Sequence, residues 1–282
     1  MEGYLDKGDA GNVSSGLNNP SITKTDRTDA PTRRLRLGNV PLDQIGFYEA
    51  VDLIADWVRR EPFRLVVTPN VDHVVRLQHD ASFRAAYQQA ALSLPDGKPV
   101  LWGGRWLGLP PLEKISGSDL LPALCVRGAA EGWRVFFAAG RSSSDLRRCL
   151  RRIRDRFPGL ELDGVCPPWG FERDSRLNTR LFETIATFRP NLVVFACGTP
   201  KSEIWLARYG PELGRGVGIS IGAGFEMLAG FRRRAPRWIQ WIGLEWFWRL
   251  LCEPHRLWRR YLLDDMKFFP LLWKWRCEAR KQ

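Results

Sequence analysis

Histidine is scarce in this chain, with three residues in 282, and the six cysteines (125, 149, 166, 197, 252 and 277) never fall in Cys-x-x-Cys spacing. A structural metal is therefore not expected, and scattered thiols suit a reduced, cytosolic compartment. No Asp-x-Asp occurs, so a Mg²⁺ or Mn²⁺ site for a diphosphate lacks its usual carboxylate pair. Neither G-x-G-x-x-G nor G-x-x-x-x-G-K-[ST] is present, which removes the dinucleotide fingerprint and the P-loop. No apolar run reaches the roughly eighteen residues of a membrane-spanning helix. The N-terminal stretch has no apolar h-region, so no signal peptide is expected. There is no internal repeat.

What the chain does have is charge of one sign. Its net charge is +12 against an ordinary 44% hydrophobic and 26% charged content. That excess implies an anionic partner: nucleic acid, an acidic membrane surface or a phosphorylated substrate. Residues 1–32 are polar and poor in large apolar groups and read as a disordered tail. Leu35 to Leu42 alternates and reads as strand entry. Phe47, Val51, Ile54 and Val58 recur at helical spacing. Further β-rich runs cover Phe63–Thr68, Leu92–Leu94, Arg134–Ala138, Leu160–Gly164 (weaker), Asn191–Ala196 and Gly216–Ile221. Helical patterns lie between them: one through Tyr87, one on Leu146, Leu150, Ile153 and Phe157, one on Leu177, Leu181, Ile185 and Phe188. Apolar strands alternating with helices predict an α/β fold with a mainly parallel sheet covered on both faces.

The strand ends share a chemistry. They read Thr68-Pro-Asn70, Pro95-Asp96-Gly97, Gly140-Arg-Ser-Ser-Ser144, Gly198-Thr199-Pro200-Lys201 and Gly222-Ala-Gly224-Phe-Glu226. Glycines there let backbone N–H groups approach a phosphate, and each following helix start favours its charge. Any one of these is an ordinary turn; together they line one rim of one sheet, where open α/β folds bind ligands.

From Arg232 onward thirteen basic residues face five acidic ones, and seven of the thirteen Trp lie in this segment. Pro236, Pro254 and Pro270 divide it into short helices. Trp- and Arg-rich short helices suit an anionic membrane interface. A helical cap packing its Trp on the core has the same composition. Arg with aromatics also serves nucleic-acid binding, but no RNP, helix-turn-helix or zinc motif is present, so nucleic acid is not expected.

The motifs, in order, resemble one family. They are Thr68-Pro-Asn70-Val-Asp-His73, Pro95-Asp96-Gly97, Ile115-Ser-Gly117-Ser-Asp119-Leu120, Gly198-Thr-Pro-Lys-Ser-Glu203-Ile-Trp205, Gly222-Ala-Gly-Phe-Glu226, Arg234-Ala-Pro236, and the long block from Gly243 to Leu262. Over roughly residues 35 to 265 the chain is similar to the bacterial WecG/TagA/CpsF glycosyltransferases. The resemblance implies a Rossmann-like core with a C-terminal helical appendage, hence a tail over 1–32, a catalytic domain over 33–231 and a membrane-associating appendage over 232–282. It implies inverting, metal-independent transfer from a UDP-sugar, with no cofactor, to a saccharide on a polyprenyl diphosphate. The place would be peripheral, at the inner face of the cytoplasmic membrane, in exopolysaccharide or other surface-polysaccharide assembly. A monomer and a homo-oligomer both stay open. So does a non-catalytic, membrane-associated scaffold or regulatory subunit.

The resemblance also assigns roles. Asp96 is the expected general base, with Thr68 and Asn70 beside it. The strand-end reading itself puts Gly140, Gly198, Thr199, Pro200, Lys201 and Gly222 around the donor, and Glu226, where the family usually has aspartate, is expected against its ribose. Arg249, Arg256 and Arg259 are expected to reach the diphosphate. Arg256 and Arg260, four apart with Arg259 beside them, predict one cationic helix face. Two departures matter: Lys114 stands where the family usually has Arg, losing a bidentate fork, and Ser202 where it often has Gln. Together they argue for a UDP-glucose or UDP-glucuronic acid donor over UDP-N-acetylmannosamine. His73 reads either as a group near the site or as a hydrogen-bonded structural residue.

Overall fold

The computed structural model describes residues 32–222, 224–232 and 234–280; all but the last residue of the expected tail lie outside them. The chain opens with β1 (Arg33–Leu37) and β2 (Val40–Gln44), paired antiparallel with Leu37 opposite Val40. The alternation from Leu35 to Leu42 is thus two strands rather than one. Gly38, at φ 61°, reverses the chain, a backbone that glycine adopts without strain.

Helices and strands then alternate: α1 (Phe47–Trp57), β3 (Arg64–Val67), α2 (Val71–Arg76), α3 (Ala81–Gln88), β4 (Ala90–Ser93), α4 (Lys98–Trp106), α5 (Gly117–Glu131), β5 (Arg134–Ala138), α6 (Ser143–Arg156), β6 (Glu161–Val165), α7 (Ser175–Phe188), β7 (Leu192–Phe195), α8 (Lys201–Tyr209), β8 (Val217–Ser220) and α9 (Gly224–Leu228). The helical pattern through Tyr87 is broken at Asp80. Its carboxylate accepts the Phe83 N–H at 2.9 Å and starts α3 as a new helix, a standard N-cap.

Strands β3 to β8 form one parallel sheet in the order β4-β3-β8-β7-β5-β6. Successive residues of β5 point to opposite faces. Val135 and Phe137 pack with Ile54, Leu120 and Ile153, while Phe136 and Ala138 pack with Phe83, Phe195 and Leu206. Two cores, one on each side, explain why the central strands read as unbroken apolar runs. The weaker signal at β6 has its reason too: this is an edge strand, with Glu161 and Asp163 exposed. Because all six strands run the same way, their C-terminal ends share one rim.

The C-terminal segment forms α10 (Arg237–Ile242), α11 (Glu245–Cys252) and α12 (Pro254–Arg259). A π-helical turn over Arg260–Asp264 leads towards α13 (Phe268–Ala279). Helix α13 folds back on the α/β layer, where Phe268 and Leu272 are buried. Trp275 covers the hairpin so closely that a Cβ on Gly38 would sit 2.3 Å from its indole. Trp238, Trp241, Trp258 and Trp273 are exposed instead. The segment is therefore both a core cap and an aromatic outer surface. No helix of the described residues is long and apolar enough to cross a membrane.

Candidate active site

The rim is built where β4 ends. The Asp96 N–H donates to the Pro69 carbonyl and the Ile115 N–H to the Pro95 carbonyl, each at 2.9 Å. These bonds hold Pro95-Asp96 between the end of β3 and the loop before α5. Gly97, at φ 96°, then turns the chain into α4. Asp96 faces a cavity of about 870 Å³, into which Asn70, Lys114, Glu245, Arg249 and Arg260 also project. Burial pushes the Asp96 carboxyl up to about 6, against the pull of Arg249 and Lys114 and with a further push from Glu245 and Asp119. The cations around it are themselves held. Lys114 Nζ lies 3.2 Å from Glu245 Oε1, and Arg234 donates to Asp119 Oδ2 at 2.8 Å. Burial of Asp119 is outweighed by its hydrogen bonds from Arg234 and Ser116, and its pKa is lowered.

A second, smaller cavity of about 210 Å³ lies further along the rim. Gly140, Arg141, Arg148, Phe225, Glu226 and Phe231 line it. Glu226 is shared between Arg141 at 3.5 Å and Arg232 at 3.3 Å. Arg232 also pairs with Glu253, which ties α9 to the C-terminal helices.

Behind the rim runs a buried polar chain. Tyr87 Oη is 2.6 Å from His73 Nδ1, and His73 Nε2 is 2.8 Å from Thr199 Oγ1. Thr199 and Ser220 donate to Glu203 Oε1 at 3.1 and 2.9 Å. Burial lowers the His73 pKa and raises that of Tyr87 well above the usual phenol value. With His73 neutral, Tyr87 donates to it, His73 donates to Thr199 and Thr199 to Glu203, and every bond is made. His73 is therefore a hydrogen-bonded structural residue that links the turns after β3, β7 and β8.

Of the residues singled out by sequence, the larger cavity gathers Asp96, Asn70, Lys114 and Arg249. Asn70 also caps α2, accepting the His73 N–H at 3.2 Å. Gly140 and Glu226 belong to the second cavity. Gly198 and Gly222 stand over open space, with nothing within 4 Å of where a Cβ would sit. Pro200 leads into α8. Lys201 is engaged by Glu172 at 2.6 Å and lies over the Trp169 ring. Thr68 is buried and lines neither cavity. Ser202 is fully buried, accepting the Cys197 N–H and donating to the Gly198 carbonyl, each at 3.2 Å.

The expected cationic helix face is not formed. Arg256 and Arg259 are exposed and line neither cavity, whereas Arg260 turns inward to Asp72 at 3.4 Å. Arg260, where the π-helical turn begins, is drawn to the buried Asp72 carboxylate, while Arg256 pairs with the neighbouring Glu253. Sequence reasoning also left out Lys98 and Glu245, which line the larger cavity, and Arg141, which lines the second. Their signal was position beside Asp96, Trp246 and Gly140. Among the described residues no three His, Cys, Asp or Glu side chains cluster as metal donors.

Residues 35–282 match the family model described as Glycosyl transferase WecG/TagA/CpsF family. The chain belongs to that family. It is 28% identical over 228 residues to an N-acetylglucosaminyldiphosphoundecaprenol N-acetyl-beta-D-mannosaminyltransferase of Bacillus spizizenii (strain ATCC 23059 / NRRL B-14472 / W23), covering 79% of this chain and 86% of that protein. A protein of the same name from Bacillus subtilis (strain 168) is 28% identical over 169 residues, which is 60% of this chain and 63% of that protein. The chain is thus a glycosyltransferase, and the rim just described belongs to a sugar-transferring enzyme.

Proposed function

We propose that the enzyme transfers a sugar from a UDP-sugar to an acceptor on a polyprenyl diphosphate, with inversion and without a metal ion. Asp96 carries the proposal: a partly buried carboxylate, poised near 6, in a large cavity beside Lys114 and Arg249. As base it takes the proton of the acceptor hydroxyl. The acceptor oxygen bonds to the anomeric carbon, the bond from that carbon to the UDP oxygen breaks, and the electron pair leaves on the β-phosphate. Arg249 and Lys114 offset that charge, the work a divalent cation does elsewhere. Glu226 and Gly140 suit the nucleoside end of the donor: the carboxylate can accept two ribose hydroxyls. Asn70 orients the reacting groups, while Thr199 and Ser202 act from behind by holding the turns, and Thr68 is buried just after β3.

The names of the two Bacillus relatives favour N-acetylmannosamine as the sugar and an N-acetylglucosaminyl diphosphate as the acceptor head. Of the two departures that argue for UDP-glucose or UDP-glucuronic acid, Ser202 faces away from the cavity. Only Lys114 still supports them, so UDP-N-acetylmannosamine is the first donor to test. We assign catalysis to residues 33–231, with Arg249 and Arg260 contributed by 232–282, and peripheral membrane contact to the exposed Trp of that last segment. A panel of UDP-sugars offered with lipid diphosphate acceptors in EDTA tests the reading. Transfer from one donor, with the anomeric configuration inverted, is expected. UDP binding without transfer from any donor contradicts it.

A further inference from the structure

The two ends of the larger cavity differ in kind. Helix α4 starts beside Asp96, and the residues it turns to the cavity are Lys98, Pro99, Trp102, Gly103 and Trp106. These recur three to four apart, one face of the helix. Lys98 to Trp106 spans about 12 Å at the α-helical rise. The opposite wall is α13, through Phe268, Phe269, Leu272 and Trp273. The two helices touch so closely that a Cβ on Gly103 would lie 2.9 Å from Phe268 and 3.0 Å from Leu272. At the far end Trp106 and Trp273 stack at 6.1 Å. Lys98, Lys114, Glu245 and Arg249 stand at the Asp96 end and Arg260 is held by Asp72 and Asp265, while the α4 and α13 walls are aromatic and aliphatic; Arg276, outside the lining, lies over the Trp106 ring at 5.5 Å. The mouth is open: Trp106 is 41% exposed, Phe269 58% and Trp273 65%.

We infer that the α4–α13 trough binds the first isoprene units of the acceptor, so that the enzyme recognises the lipid as well as its sugar head. The inference rests on the acceptor proposed above and adds a site to it. An acceptor with its hydroxyl at Asp96 extends through sugar and diphosphate past Lys98 and Arg260, and its hydrocarbon begins where the polar lining ends. That continuity favours a prenyl diphosphate over a phospholipid: a prenyl diphosphate sets two phosphates in line with one chain, as Lys98 and Arg260 stand before one trough, whereas a phospholipid sets one phosphodiester over two acyl chains. A branched, unsaturated chain also suits flat indole walls, since its methyl groups and double bonds lie against the rings.

The test uses the full chain without vesicles or detergent. N-acetylglucosaminyl diphosphates carrying a methyl group or a short prenyl chain of two or three isoprenes are compared as acceptors. The prenylated form is expected to have a kcat/KM at least about tenfold higher, about 1.4 kcal/mol. Phe269→Ala and Trp273→Ala, both at exposed positions, should bring that ratio towards one. In parallel, farnesyl diphosphate should quench tryptophan fluorescence saturably, with inorganic pyrophosphate as control, and should bind about tenfold more weakly to the double variant. A ratio near one in solution, with a tail advantage only on vesicles, would make this surface a bilayer contact and overturn the inference. So would an unchanged ratio in the variants. Absence of transfer to every acceptor, with farnesyl diphosphate still binding in the trough, would instead sink the transferase assignment for this donor and acceptor and leave the prenyl site standing.

Discussion

As the proposed base, Asp96 trades stability for chemistry. Its carboxyl is raised from an ordinary 3.8 to about 6, mainly by burial. A group with a raised folded pKa contributes stability that is fully present below the unfolded value and lost as pH rises through the folded one. At pH 7.5 the ionised Asp96 therefore costs the fold up to about 3 kcal/mol. Asp96→Asn should melt several degrees above wild type at pH 7.5, with the gap closing as pH falls from 6 towards 3.8 in thermal scans. The wild-type kcat/KM profile should fall on the acid side with an apparent pKa near 6, as the base takes up its proton. A profile flat down to pH 5 would mean that Asp96 does not titrate in the reaction.

At the scale of elements, the turns after β3, β7 and β8 are held together by one buried acceptor. Glu203 takes hydrogen bonds from Thr199 and Ser220, and Thr199 in turn receives His73. Glu203→Ala should cost about 1–3 kcal/mol by leaving the Thr199 and Ser220 hydroxyls stranded, read as a drop in urea midpoint at constant slope. Most of the elements here were legible in the sequence. Strand β5 falls on Arg134–Ala138 as expected because a buried parallel strand is apolar on both faces. The hairpin was missed although it left a mark: Leu37 and Val40 are three residues apart, so the alternation breaks at Gly38-Asn39. Asp96, Asn70, Lys114 and Arg249, which line the larger cavity, were singled out in the sequence, two beside strand ends and two in family motifs. Arg260 in its inward position was not, because its partner Asp72 lies on a helix far away in the sequence. Nor was the inward burial of Ser202, which depends on how the turn after β7 closes on itself.

For the whole molecule, the net charge of +12 and the exposed Trp of the last helices argue for an anionic bilayer as the working surface. Removing the segment would be a poor test, because Phe268 and Leu272 complete the core. Single changes on its exposed face are better. Trp241→Glu and Trp258→Glu should each reduce flotation with phosphatidylglycerol vesicles severalfold and leave the melting temperature within a degree or two, since both side chains are exposed. Wild-type flotation in the double variant would place membrane contact elsewhere.

The most direct measurement is turnover by Asp96→Asn with a prenylated N-acetylglucosaminyl diphosphate acceptor and the preferred UDP-sugar. The expected result is a loss of about 10²–10⁴ in kcat, the usual worth of a positioned base, with UDP affinity by calorimetry unchanged. Turnover within a few-fold of wild type would contradict the assignment of Asp96 as the base.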